Sequence, residues 1–152
     1  MEAKRALQMV ADQCSRQELS RFDVLSKLQR WELSGEEITA IMNFLEENRF
    51  VDDQRFARAY ARDKFRFKRW GKAKIEQMLR RKHIPEELIR EALADLPDTD
   101  YDATCRALLQ QKSRGLNEPD PYKRKAKLIR FALSRGFDYE TIRRALDSEP
   151  KQ

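Results

Sequence analysis

Apolar residues return every three or four positions along almost the whole chain, the spacing that lays a single stripe on an α-helix. Leu7, Val10 and Cys14 mark a first helix. Val24, Leu28 and Trp31 mark a second, opened by Ser20 as a capping residue. Ser34 and Glu37 have the spacing of a capping box ahead of a third helix, whose stripe is Ile38, Ile41, Met42 and Leu45. A fourth opens after Asp52, with Val51 and Phe56 spaced as a hydrophobic staple, and its apolar face reads Phe56, Tyr60 and Phe67. The fifth follows Gly71 with Ile75, Met78 and Leu79. The sixth takes Pro85 as its first residue, where a missing N–H costs nothing, and carries Leu88, Ile89, Ala92, Leu93 and Leu96. Tyr101, Cys105, Leu108 and Leu109 predict a seventh helix ending at Gly115. Tyr122, Ala126, Ile129 and Leu133 predict an eighth ending at Gly136, and Asp138 caps a ninth that buries Ile142 and Leu146.

The nine helices sort into three triplets. Ile38-x-x-Ile41-Met42, Ile89-x-x-Ala92-Leu93 and Ile142-x-x-Ala145-Leu146 repeat one pattern, and Ala6, Ala57 and Ala107 align in the first helix of each. Self-similarity at a period of about fifty residues points to units that stack and stabilise their neighbours. No alternating β-branched run is present. The expected fold is all-α: three tandem three-helix repeats at residues 1–50, 51–97 and 98–152, in an elongated, curved stack.

Charge changes this picture because it is not spread evenly. From Arg55 to Lys82 twelve Lys or Arg face two acids, Asp63 and Glu76. Of totals of 32 and 26, the rest of the chain therefore holds 20 basic and 24 acidic residues. Concentrated positive charge favours a polyanionic partner. Arg55, Arg58, Arg62, Arg66 and Arg69 follow at steps of 3, 4, 4 and 3, one stripe if the fourth helix persists that far. A guanidinium suits phosphate or carboxylate because its planar fork gives two hydrogen bonds. Lys72 and Lys74 open the fifth helix, where free N–H groups and two ammoniums would together attract an anion. Lys123, Arg124, Lys125, Lys127 and Arg130 form a second basic run in the third triplet, so the two could make one track. Phe65 and Trp70 fall off the main apolar face, suited to packing between repeats or to stacking on bases.

Other chemistry is sparse. The single histidine, His83, stands at a turn with no partner in a triad or ligand spacing, and no glycine-rich phosphate loop occurs. Cys14 and Cys105 lie on apolar faces, outside any CxxC or Cys–His cluster, and read as reduced thiols. No apolar run approaches the ~20 residues that span a bilayer, and no cleavable signal precedes the first helix. The expectation is a cytoplasmic, monomeric, non-catalytic protein with no cofactor, no metal and no membrane partner.

The central segment resembles the RecX family, whose signature is D-D-x-R-F-A-x-x-Y, a basic stretch, a glycine, then a helix ending near L-x-x-K. Here these are Asp52-Asp53, Arg55-Phe56-Ala57, Tyr60, Gly71, Leu79 and Lys82. Lys72 replaces a proline frequent after that glycine, and His83 a glycine frequent before Ile84. The resemblance implies a curved, three-repeat, nine-helix protein whose partner is the RecA nucleoprotein filament. Members lodge in its helical groove, block its growth or hasten its disassembly, and depress its ATPase, strand-exchange and coprotease activities, although some enhance recombination. Weak nonspecific DNA binding would accompany such a surface.

Two other readings stay open. A direct nucleic-acid module could use helix-turn-helix pairs, but the third helices carry acids such as Glu36, Glu86 and Glu87 where phosphates would lie. A plain helical scaffold would leave the segregated charge incidental.

Overall fold

The computed structural model describes residues 1–147, so the last five residues of the third expected repeat lie outside the described residues. The described chain is helical throughout its regular elements: α1 (Ala3–Arg16), α2 (Arg21–Arg30), α3 (Gly35–Glu47), α4 (Asp53–Lys68), α5 (Lys72–Arg81), α6 (Glu86–Ala94), α7 (Asp98–Gly115), α8 (Pro121–Ser134) and α9 (Tyr139–Asp147). The caps are local and sequence-driven. Ser20 with Asp23 and Ser34 with Glu37 each form a reciprocal capping box. Asp52 accepts from the Arg55 N–H, Asp120 from Tyr122 and Lys123, and Asp138 from Thr141. Pro85 is the N-cap of α6 rather than its first residue.

The triplets α1–α3, α4–α6 and α7–α9 repeat one construction. Fully buried pairs one turn apart centre each first helix: Ala6 and Val10, Ala57 and Ala61, Cys105 and Leu109. Cys105, not Ala107, is therefore the equivalent of Ala6 and Ala57. Between the second and third helices the chain turns through a left-handed residue each time, Glu32, His83 and Gly136, at φ 57°, 58° and 97°. The next residue, Leu33, Ile84 or Phe137, then packs inward. His83 thus occupies a conformation that favours glycine.

Packing divides the chain differently from the helix count. One core joins α1–α3 with Leu19 and Val51; a second runs continuously through α4–α9. Val51 and Phe56 are both buried but in different cores, so the expected staple does not close.

The two junctions between triplets differ in kind. At the first, polar groups dominate: Lys82 Nζ lies 2.7 Å from the Asp23 carboxylate, the Arg21 N–H donates to Asp53 at 2.9 Å, and Phe22 stacks on His83 at 4.5 Å. At the second, backbones touch. Gly71 N–H donates to the Arg135 carbonyl at 2.7 Å, and Ala73 N–H to the Gly136 carbonyl at 3.1 Å. A Cβ on Gly71 would sit 2.4 Å from Gly136 backbone atoms, so glycine is required for this approach.

Two predicted faces are rotated. In α4 the buried residues are Phe56, Ala57, Ala61 and Phe65, whereas Phe67 is 74% exposed. In α8 Leu128 and Ala132 are buried, and Tyr122 and Leu133 face solvent.

Candidate polyanion-binding surface

Burial of Ala57, Ala61 and Phe65 fixes how α4 is turned, and with it where the arginines point. At 100° per residue, Arg55, Arg58, Arg62 and Arg66 fall within an arc of about 80°. The stripe is gathered on one side, but its members are not equivalent. Arg55 turns to the first junction: its Nε lies 2.6 Å from Glu18, and its Nη2 donates to the Arg49 and Phe50 carbonyls at 3.0 and 3.3 Å. Arg58 and Arg62 are exposed, 3.4 Å from Asp95 and 3.9 Å from Asp63. Exposed pairs of this kind contribute about 0–1 kcal/mol, so either guanidinium can exchange its carboxylate for another anion. With Arg66 they line a cavity of 570 Å³ that also holds Asp95 and Asp100.

The stripe ends one residue early. α4 stops at Lys68, and Arg69 is its left-handed C-cap at φ 54°, donating to Gln111 at 2.6 Å.

The anion site expected at the start of α5 does not form in the way the sequence suggests. Its first two N–H groups are occupied: Lys72 N–H donates to the Tyr101 hydroxyl at 2.9 Å, and Ala73 N–H to the Gly136 carbonyl at 3.1 Å. Lys72 and Lys74 instead lie over the rings of Tyr101 and Trp70, at 5.1 and 4.5 Å. Burial pushes the Tyr101 phenol up to about 12, which keeps its hydroxyl neutral at this seam.

The second basic run is divided too. Arg124 folds back into the α7–α8 connection, donating to the carbonyls of Ser113, Leu116 and Glu118. Lys127 pairs with Glu118 at 3.0 Å, whereas Lys123 is exposed. None of the three lines the 570 Å³ cavity that holds Arg58, Arg62 and Arg66.

What does meet the end of α4 is a different set. Arg66, Lys68 and Arg69 face Lys112 of α7 and Arg135, the α8 C-cap, across a cleft of 660 Å³ that includes Phe67 and Phe131. Lys112 and Arg135 both lie over the Phe131 ring at 4.8 Å. Sequence reading passed over Lys68, Lys112 and Arg135. Only the docking of α7–α8 on α4 assembles them.

The residues of the D-D-x-R-F-A motif are structural. Asp52 caps α4, Asp53 accepts from Arg21, Arg55 pairs with Glu18, and Phe56 and Ala57 enter the second core. Burial drives the Asp53 carboxyl above its ordinary range. Burial also pushes Asp23 up, but hydrogen bonds from Lys82 and Ser20 outweigh it and hold that carboxyl below its ordinary range. Among the described residues no group of three or more His, Cys, Asp or Glu side chains could hold a metal, and no helix is long and apolar enough to cross a membrane.

Fold and surface together define a tandem helical-repeat protein with cationic clefts. Residues 52–93 match the RecX second three-helix domain, and residues 99–146 the RecX third three-helix domain. The chain is 34% identical over 144 residues to the regulatory protein RecX of Chlorobium phaeobacteroides (strain BS1), covering 95% of this chain and 93% of that relative. It is 32% identical over 147 residues to the regulatory protein RecX of Prosthecochloris aestuarii (strain DSM 271 / SK 413), covering 96% and 94%. The chain belongs to the RecX family of regulatory proteins. A crystal structure of RecX from Lactobacillus salivarius shares the fold at a TM-score of 0.82 and 20% identity, over 95% of this chain and 94% of that one.

Proposed function

We propose that this chain is an inhibitor of RecA that docks as a cytoplasmic monomer on the RecA–DNA filament and lowers its ATPase, strand-exchange and coprotease activities. The division at 50/51 and 97/98 belongs to this reading, each repeat adding a segment to an extended docking face. The observation that carries it is the row of exposed guanidiniums, Arg58, Arg62 and Arg66, on one side of an anchored α4, in a chain of the RecX family. Such a row is matched to the charge of a nucleoprotein polymer, because weak surface pairs are exchangeable at little cost. Lys72, Lys74, Lys123 and Lys127 extend the basic surface, Arg69 belongs to its cleft end, and Arg55 and Arg124 hold the scaffold that presents it. The test is a titration against the DNA-dependent ATPase of the cognate RecA. Hydrolysis should fall as the chain approaches the filament's RecA concentration. An unchanged rate at every ratio would rule the reading out.

A further inference from the structure

The cleft between the end of α4 and α7–α8 differs from its neighbours in one respect: among the described residues no carboxylate lines it. The cavity beside it holds Asp95 and Asp100, and the groove on the other side of α4 holds Glu18 and Asp63. Its five cations are Arg66, Lys68, Arg69, Lys112 and Arg135, and none makes an ion pair among the described residues. Like charges gathered without counter-charges repel one another, so this arrangement gains when an anion enters. Three of the cations are held in place by neutral groups: Gln111 accepts from Arg69 at 2.6 Å, and Phe131 underlies both Lys112 and Arg135. Phe67, at the cleft mouth, is 74% exposed, with the Arg66 guanidinium 5.7 Å from its ring centre. An aromatic left in solvent beside fixed cations is the pairing that takes a base on its face and phosphates alongside.

We propose that this cleft binds single-stranded nucleic acid, with the five cations gripping successive phosphates and Phe67 stacking an unpaired base. Paired bases in a duplex offer no free face to Phe67, so single strands are preferred. An acidic protein segment would satisfy the cations but has no use for the exposed ring. The proposal does not rest on the RecA reading, because it requires no RecA.

The test is fluorescence anisotropy of the full chain with a labelled oligo(dT) of about 15 nucleotides, without RecA, over a salt series. The parent should bind the single strand more tightly than a duplex of the same length. The Lys112→Ala/Arg135→Ala double variant should lose about 0.7 in the log–log salt slope per phosphate contact removed. Phe67→Ala should weaken binding at least about fivefold while leaving that slope unchanged. Because Phe67 is exposed, this variant keeps the fold, which circular dichroism checks for both. Parent-like affinity in Phe67→Ala together with a parent-like slope in the double variant would overturn the proposal. So would displacement of the strand by oligoglutamate with Phe67→Ala behaving as parent, which would make the cleft a dock for acidic protein. A failed ATPase titration leaves these outcomes unaffected, so the two readings fall separately.

Discussion

Replacing Gly71 by alanine puts a methyl group where the Gly136 backbone already lies. The added Cβ would sit 2.4 Å from the Gly136 carbonyl carbon and oxygen and 2.5 Å from the Phe137 nitrogen. These are backbone atoms of the opposing triplet, not ends of flexible side chains. Relief requires α5 and the α8–α9 turn to part, and overpacking of this kind costs about 1–3 kcal/mol. Parting them also stretches two backbone hydrogen bonds, from Gly71 to Arg135 and from Ala73 to Gly136, worth about 1 kcal/mol each. The expected loss is about 3–5 kcal/mol, a large share of the ~5–15 kcal/mol that holds a typical domain together. Urea melts followed by circular dichroism measure it, and a thermal melt should fall by about 10 °C. Gly115→Ala is the matched control. Among the described residues no atom lies within 4 Å of its Cβ, and it closes a helix, so that variant should equal or slightly exceed the parent. A Gly71→Ala protein within about 1 kcal/mol of the parent would refute the claim that this contact joins the second and third triplets.

Three further outcomes follow from side chains whose surroundings are defined. Asp52→Ala removes the α4 cap and should cost about 1 kcal/mol in the same urea melts, with Asp52→Asn close to parent. Lys82→Ala strips Asp23 of the partner that helps to hold its carboxyl below the ordinary aspartate value of 3.8. A lowered folded-state value adds stability above that pH and loses it as pH falls through the folded value, so the parent should weaken on acidification below about 4 and Lys82→Ala should weaken less. Burial raises the Cys105 thiol to about 12, so in the native protein it should resist a thiol reagent at pH 8 and react on unfolding; fast native labelling of Cys105 would contradict its burial.

Helix identity was legible because its signals are local. Ser34 with Glu37, Asp52 and Asp138 each announce a helix start within four residues, and all three cap as the sequence suggests. Helix facing was less legible, because it depends on what packs against each turn. On α4 the alanines Ala57 and Ala61 set the register, and a reading weighted toward large aromatics places Phe67 inside and Phe65 outside. On α8 Ala132 does the same, and Tyr122 and Leu133 are left in water. Arg55 and Arg124 show the same limit for charge: their spacing marks a basic stripe, but backbone carbonyls and Glu18 claim them. The cleft itself was illegible, since Lys112 and Arg135 reach Arg66 and Arg69 only through tertiary docking. The central motif was readable as a family signature, yet its residues build a junction.

The most direct measurement compares the parent with an Arg58→Ala/Arg62→Ala/Arg66→Ala variant in half-inhibition of the cognate RecA's DNA-dependent ATPase. The parent should inhibit near filament stoichiometry, and the variant, equally helical by circular dichroism, should need at least about tenfold more protein. Equal potency of the two proteins would contradict the assignment of that α4 face to RecA.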